Sequence, residues 1–359
     1  MSTLEELAFY CRKKEPMGAL ALLGESGCGK TFLIKNELKE LLKDTHVIVH
    51  VSLFGIGSLD ELHSAVKKNW VHALMPVLTK KKSETKGQDF RESFFKAAAS
   101  ILQIIDPRVG NLADAASDPL KYIVVVPEVE DIHTKTKKEV VLAFDDVDRT
   151  SMNLGDLLGA VNDYCENQHF HMIIVAGRDI VSDTEEEMAV FIRKAREKVV
   201  AYTVYNYPDY KEIVHRVVEG RNWRSEEYAS YLRAHEQTIL ELFSSDDADV
   251  GSFRDVTAKN HNIRSLITGL ESFHRIYYHL SKANVLDIEP YLCAFLPAYL
   301  CAKGGINKNG ITTYTISDEE IAVLYPRYSA ENLFESVRLW INQGYWSEAL
   351  FEEELSHCC

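Results

Sequence analysis

The stretch Gly24-Glu25-Ser26-Gly27-Cys28-Gly29-Lys30-Thr31 determines how the rest of this sequence is interpreted. It matches the pattern G-x-x-x-x-G-K-[ST] at every position. Glycines allow backbone N–H groups to turn towards phosphate oxygens, and the N-terminus of a following helix attracts the same anion. In this pattern the lysine reaches the β- and γ-phosphates and the hydroxyl binds Mg²⁺. We therefore predict a phosphate loop, the Walker A motif, with these nucleotide-contacting residues: Gly24, Glu25, Ser26, Gly27, Cys28, Gly29, Lys30, Thr31 and Phe32.

The sequence on either side of the loop has the pattern that a phosphate loop requires. Residues 18–23 are an apolar run that predicts a strand, and residues 30–43 have the amphipathic spacing of a helix. Strand, loop and helix thus follow one another in the order that supports the motif. Cys28 lies between two of the glycines. We expect its thiol to lie close to bound phosphate, where a bulky thiol reagent would block nucleotide entry.

A second motif consists of a strand that ends in two acids. Residues 140–144 form a continuous apolar run, which is typical of a parallel strand buried on both faces, and Asp145 and Asp146 follow it. This is the Walker B pattern. Asp145 is expected to hold Mg²⁺ together with Thr31, and Asp146 to orient or deprotonate the attacking water. Lys30 and Asp146 are the catalytic residues predicted within the two motifs.

Strands and helices alternate through the first part of the chain. Further strands are predicted at residues 46–53, 171–176 and 199–204, with an additional one at 122–126, and helical spacing separates them. This alternation predicts an α/β fold with a parallel sheet. Beyond Pro208 the strand pattern stops and the sequence is predicted to be helical. Within that part, Ser317 and Glu320 form a capping box and Gly344 is placed to end a helix.

Composition excludes several classes of protein. The 359 residues are 46% hydrophobic and 26% charged, which is typical of a globular chain. The net charge of −14 repels nucleic acid, so DNA binding would need a local basic patch such as Lys80–Lys82. The seven cysteines contain no CxxC pair, which favours reduced thiols in the cytoplasm. No membrane span is predicted, because the apolar stretch 291–302 is too short and is expected to form a core helix.

Two nucleotide-binding classes lack their signatures here. A GTPase is expected to carry an NKxD motif after a later strand, and the nearest sequence, Asn307-Lys308-Asn309-Gly310, lacks the acid. The LSGGQ signature of ABC ATPases is also absent from the sequence. ATP is therefore favoured over GTP as the bound nucleotide.

The run Asp145-Asp146-Val147-Asp148-Arg149 resembles the DDxDR signature of KAP-type P-loop NTPases, a branch near the AAA+ and STAND ATPases. Three further stretches are similar to such proteins: HVSLFGI at residues 50–56, LLGAVN at 157–162 and REKVV at 196–200. The similarity spans roughly residues 16–275. It implies a sheet ordered 5-1-4-3-2, ATP hydrolysis and a helical lid. It also implies regulatory roles, often in large assemblies and in prokaryotic phage or genome defence.

Combining the resemblance with the pattern along the chain gives a division into three parts. Residues 1–206 are expected to form the α/β nucleotide domain, with a helical insert at about 59–120. Residues 207–282 are expected to form the lid, and residues 283–359 a small helical C-terminal region.

The resemblance also suggests arginines that act on the γ-phosphate. Arg193 or Arg196 precedes the fifth strand, where AAA+-like proteins place an arginine finger that acts across a subunit interface; a solvated helix face is the competing interpretation. The sequence Asn262-Ile263-Arg264 resembles the sensor-2 segment of the lid, in which Arg264 would contact the γ-phosphate. The competing interpretation is that Arg264 forms a salt bridge at the start of a helix. Sensor 1 normally needs a polar residue at the end of strand four, where Gly177 stands; Arg178 is a candidate substitute.

These observations favour a regulatory ATPase whose nucleotide state controls assembly or a partner. The partner is expected to be a second copy of the chain or an effector protein encoded elsewhere. A DNA-directed AAA+-like ATPase, such as a loader or remodeller, and a nucleotide-binding scaffold with little hydrolysis remain open. A group of possible metal ligands close in sequence is expected to be structural instead, because its spacing fits no zinc pattern: Cys165, His169 and His171.

Overall fold

The computed structural model divides the chain into two compact units, Met1–Tyr207 and Pro208–Cys359. Each unit has a hydrophobic core of its own. The predicted strand 122–126 and most of the predicted insert lie outside the described residues. The residues that the structure describes are 2–15, 17–79, 138–177, 199–244, 261–308, 311–314 and 316–357.

In the described part of the first unit, five strands form one parallel sheet. Their bounds are β1 (Ala19–Gly24), β2 (His46–Ser52), β3 (Glu139–Asp145), β4 (His171–Gly177) and β5 (Val200–Tyr205). The order across the sheet is β2-β3-β4-β1-β5. This is the 5-1-4-3-2 order that the family resemblance implied, so that prediction is confirmed. Because the strands are parallel, their carboxyl ends meet at one edge, where open α/β sheets bind ligands.

The central strands are apolar at consecutive positions because both faces of the sheet are covered. In β3, Val140, Leu142 and Phe144 belong to one hydrophobic cluster. The alternate residues Val141 and Ala143 belong to another cluster. Side chains of a strand alternate between its two faces, so these two clusters are the two layers that enclose the sheet.

Four helices cover the sheet in the described part of the first unit. Their bounds are α1 (Thr3–Cys11), α2 (an α-helical start Lys30–Phe32, a π-helical middle Leu33–Leu38 and an α-helical end Lys39–Leu41), α3 (Leu59–Thr79) and α4 (Leu154–Asn162). Helix α4 continues as a π-helical turn, Asp163–Asn167. The α2 helix begins directly at the end of the glycine-rich loop, as the sequence predicts.

Two buried histidines hold the C-terminal end of α1 against the sheet. His46 Nε2 donates to the carbonyl oxygen of Cys11 over 2.8 Å, and His171 Nε2 donates to that of Lys13 over 2.7 Å. His46 is the first residue of β2, and His171 is the first residue of β4. His46 therefore satisfies a carbonyl at the end of the helix, where no intrahelical donor is available, and His171 satisfies one just past that end.

In its described part, the second unit is built mainly from helices around one core. Their bounds are α5 (Tyr210–Glu219), α6 (Glu226–Ala234), α7 (Glu236–Phe243), α8 (Ile263–Lys282), α9 (Glu289–Gly304), α10 (Asp318–Leu324), α11 (Glu335–Gln343) and α12 (Glu348–Ser356). The buried residues of this core lie between Val214 and Leu355 in the sequence. At Gly269 a Cβ atom would lie 3.0 Å from Leu296 and 3.1 Å from Tyr299, so α8 and α9 pack closely there. The predicted boundary between the lid and the C-terminal region, at residues 282/283, stays a prediction.

Several local predictions for the second unit can be compared with the structure. Ser317 and Glu320 form the capping box of α10, and Gly344 ends α11 with a left-handed φ of 74°, both as predicted. The stretch 291–302 lies within α9 and is largely buried, as expected of a core helix. The prediction that strands stop after Pro208 is wrong, because β6 (Ile306–Lys308) and β7 (Ile311–Thr313) pair as an antiparallel hairpin. These strands are too short to give a period-2 signal. Among the described residues, every helix is too short or too polar to cross a bilayer.

Candidate nucleotide-binding site

The loop between β1 and α2 depends on glycine at three positions. Gly27 and Gly29 have left-handed φ values of 78° and 88°, which side chains disfavour. At Gly24 the restriction is space, because a Cβ atom would lie 2.9 Å from Cys28 Sγ. The backbone conformation therefore favours glycine at positions 27 and 29, and the space beside the Cys28 side chain favours it at position 24.

The ammonium group of Lys30 lies within this loop. Its Nζ donates to the carbonyl oxygens of Gly24 and Glu25 over 2.8 and 2.7 Å. Lys30 also begins α2, whose N-terminal N–H groups add to the positive potential. The loop thus combines a fixed cation with a helix N-terminus, the combination that binds phosphate.

The thiol of Cys28 is buried at the loop. The residue is only 3% exposed, and its Sγ lies 3.3 Å from Asn206 Nδ2 and 3.8 Å from Lys30 Nζ. Burial of the thiol argues against direct access by a bulky reagent, and the expected block of nucleotide entry stays a prediction. The same Asn206 amide donates to the carbonyl oxygen of Cys28 over 2.9 Å, and the Asn206 N–H donates to Leu23 O over 2.7 Å. Asn206, one residue past β5, therefore holds the loop through hydrogen bonds to the carbonyl oxygens of Cys28 and Leu23.

Thr31, the last residue of the loop motif, contacts Asp145. The Thr31 hydroxyl donates to Asp145 Oδ2 over 2.6 Å, although the two residues are 114 positions apart. Asp145 ends β3 and is 3% exposed. The structure therefore brings together the two residues predicted to hold Mg²⁺.

His50 of β2 is a further partner of Asp145. Its Nε2 lies 2.8 Å from Asp145 Oδ2, while the backbone N–H of Asp146 donates to Oδ1 over 2.9 Å. Burial acts to raise the pKa of Asp145, but the hydrogen bonds from His50 and Thr31 outweigh it, and the pKa lies below its usual value. Asp145 is therefore an ionised carboxylate in a buried position.

Asp146 adopts an unusual backbone conformation. Its φ is 55°, in the left-handed region that non-glycine residues rarely occupy. Its Oδ2 accepts a hydrogen bond of 2.8 Å from the hydroxyl of Ser52, the last residue of β2. Strain of this kind is often found at functional sites. The conformation turns the chain directly after Asp145, so that the two carboxylates take different partners, His50 and Ser52.

Other predicted site residues are placed less decisively. Phe32, in the first turn of α2, is 51% exposed. Gly177, at the sensor-1 position, pairs with Gly24 at the carboxyl edge of the sheet. Arg264 is exposed in the first turn of α8, in the second unit, and its contact with nucleotide stays a prediction. The remaining candidates lie outside the described residues: Arg178, Arg193 and Arg196.

Two of the three residues that were predicted to be structural have structural contacts. His171 bonds to the backbone after α1, and Cys165 is buried in the sheet's core. His169 has a left-handed φ of 57° and begins the approach to β4. His171 and Cys165 therefore serve the fold, whereas a structural role for His169 stays a prediction.

Sequence reasoning assigned no role to three polar residues of the site: His50, Ser52 and Asn206. His50 and Ser52 stand in the last part of a predicted strand, and Asn206 stands just after the end of another. A polar residue at the carboxyl end of a parallel strand is therefore the signal that could have found them.

The site fits a nucleotide with its magnesium ion. A hydroxyl and an ionised carboxylate within 2.6 Å of each other are hard oxygen donors of the kind that Mg²⁺ prefers. The lysine and the loop supply the phosphate-binding groups. Fold and site together define a nucleotide-binding P-loop NTPase. The model of the KAP family P-loop domain matches residues 6–280, and the chain belongs to this family. No curated protein matches the chain significantly.

Proposed function

We propose that the protein is a Mg²⁺-dependent ATPase. The observation that carries the proposal is the 2.6 Å hydrogen bond between Thr31 and Asp145, which joins a complete phosphate loop to a buried, ionised carboxylate. The missing GTPase and ABC signatures favour ATP. The cytoplasm is the proposed compartment, since the cysteines in the described part of the chain are free thiols.

The side chains divide the work of phosphoryl transfer to water. Lys30 and the loop N–H groups bind phosphate oxygens, and Thr31 and Asp145 hold Mg²⁺. When bound, the ion neutralises charge that develops between the β- and γ-phosphates. Asp146, held by Ser52, orients the attacking water and accepts its proton.

We further propose that the nucleotide state controls assembly or an effector protein. Membership of the KAP family supports a regulatory role, and no nuclease or protease motif is recognisable in the sequence. A role in phage or genome defence rests on the family resemblance alone. Arg193 or Arg196 would complete the site of a neighbouring copy.

Phosphate release by the purified full chain tests the proposal. The rate is measured with ATP and with GTP, with Mg²⁺ and with EDTA, and with and without double-stranded DNA. Release from ATP that requires Mg²⁺ and does not respond to DNA supports the proposal. Stimulation by DNA would instead support a DNA-directed ATPase. Tight ATP binding without release would support a nucleotide-binding scaffold.

A further inference from the structure

We propose that His50 is a positioning residue that holds the Asp145 carboxylate in the orientation needed for Mg²⁺. The inference rests on the proposed function, in which Asp145 helps to hold that ion. It adds to the site a residue that the two sequence motifs do not contain.

The geometry of the sheet places His50 beside Asp145. Strands β2 and β3 are parallel neighbours, with Ser52 opposite Asp145 and His50 opposite Ala143. His50 and Ser52 are two residues apart and so point to the same face of β2. The imidazole thereby reaches Asp145 Oδ2, and the hydroxyl of Ser52 reaches the next carboxylate, that of Asp146.

The hydrogen bonds around the Asp145 carboxylate indicate which ring nitrogen of His50 carries a proton. An ionised carboxylate accepts hydrogen bonds and cannot donate them. Its Oδ2 accepts from Thr31 Oγ1 and from His50 Nε2, and its Oδ1 accepts from the N–H of Asp146. His50 therefore donates through Nε2. These three donors fix both oxygens, and Thr31 keeps the lone pairs of its hydroxyl available for a cation.

The position of His50 in its strand favours this role over packing. Val49 and Val51 on either side are fully buried, whereas the His50 side chain keeps 13% of its surface exposed. β-branched residues are the usual occupants of such a strand. An imidazole at this place is explained by the hydrogen bond that it makes to the carboxylate.

The size of the expected effect follows from comparable sites. Groups that hydrogen-bond to metal-ligating side chains typically contribute about 10- to 100-fold to metal affinity. Loss of the His50 donor leaves Asp145 with Thr31 and one backbone N–H. We therefore expect weaker metal binding with little change in the fold.

Binding of Mn²⁺, a paramagnetic substitute for Mg²⁺, provides a measurement that does not depend on catalysis. The full chain is mixed with a non-hydrolysable ATP analogue, and bound Mn²⁺ is measured by electron paramagnetic resonance. His50→Phe keeps a ring without the donor, and His50→Val places a strand-forming residue there. His50→Gln restores an N–H at similar reach. His63→Phe, which removes a 2.7 Å hydrogen bond to Tyr164 within the same unit, is the matched control.

We expect Mn²⁺ affinity to fall about 10-fold or more in His50→Phe and His50→Val, and to recover largely in His50→Gln. The His63→Phe control should bind as the wild type does. Wild-type affinity in either folded donor-free variant overturns the inference, and so does an equal loss in the His63 control. A wild-type protein that binds Mn²⁺ with nucleotide but releases no phosphate would refute the proposed ATPase and leave the role of His50 standing.

Discussion

The side-chain amide of Asn206 donates a hydrogen bond to the carbonyl oxygen of Cys28 over 2.9 Å, and so joins the end of β5 to the phosphate loop. Asn206→Ala removes this donor and leaves the loop carbonyl without it. We expect ATP affinity to fall about 5- to 30-fold, which corresponds to about 1–2 kcal/mol. Titration with a fluorescent ATP analogue measures the change. Asn162→Ala, which removes an exposed hydrogen bond from the Asn162 side-chain amide to Glu166, is the control and should bind normally.

Lys30→Ala tests the phosphate loop directly. The ammonium group is the one side-chain cation within residues 24–31, so its loss removes a charge-assisted contact worth about 10- to 100-fold in affinity. We expect ATP binding and turnover to be lost together at ordinary concentrations. Lys35→Ala alters an exposed lysine of the same helix and should have little effect. Unchanged binding in folded Lys30→Ala would refute the site.

Asp146→Asn is expected to separate binding from hydrolysis. The substitution removes the group that accepts the proton of water but leaves Lys30 and the loop intact. Hydrolysis should fall about 10²-fold or more, while ATP stays bound. Single-turnover phosphate release together with a binding titration measures both effects. Asp156→Asn, an exposed acid in the first turn of α4, should behave as the wild type does. A wild-type rate in Asp146→Asn would rule out this residue as the base.

Arg193 or Arg196 is predicted to act on the nucleotide of a neighbouring copy. An arginine supplied across an interface can contribute about 10³-fold to the rate. We expect Arg193→Ala or Arg196→Ala to bind ATP but hydrolyse it poorly, and mixing with Lys30→Ala to restore part of the turnover. In the mixture one variant supplies an intact loop and the other supplies the arginine. A rate independent of protein concentration, without rescue on mixing, would contradict the shared site.

The buried histidines beneath α1 predict a pH-dependent stability. Burial lowers the pKa of both His46 and His171, although Glu139 acts in the opposite direction on each. A folded-state pKa below the unfolded value of about 6.5 means that folding favours the neutral form. Their contribution is present above about pH 6.5 and is lost as the pH falls through the folded pKa.

Urea unfolding measured at about pH 7.5 and about pH 5 tests this dependence. The double variant His46→Gln, His171→Gln keeps N–H donors without titration. It should lose less stability on acidification than the wild type does. An equal loss in both proteins would show that other groups set the acid dependence.

Much of the fold and the centre of the site could be predicted from the sequence. The loop at residues 24–31 and the strand that ends at Asp145 are local patterns, because the phosphate chemistry and the doubly covered sheet each impose a residue type at every position. Their meeting through Thr31 followed from the same reasoning. The order of the strands came from the resemblance and not from any periodicity.

The contacts that support this centre could not be predicted in the same way. His50, Ser52 and Asn206 act across strands, and a sequence without strand order and register does not show which side chains face one another. The burial of the Cys28 thiol likewise depends on a neighbour 178 positions away. The hairpin of β6 and β7 was missed because three-residue strands carry no pattern.

The close packing of α8 on α9 has a consequence for where the chain can be divided. The family match ends at residue 280, two residues before the end of α8, and α9 begins only at Glu289. A truncated protein designed on that match would retain Gly269 and Phe273 but lack the Leu296 and Tyr299 side chains that meet this part of α8. The apolar face of α8 would then be open to water. The end of the family match therefore does not coincide with the end of the hydrophobic core. A fragment that keeps this core intact must include the helices up to Leu355.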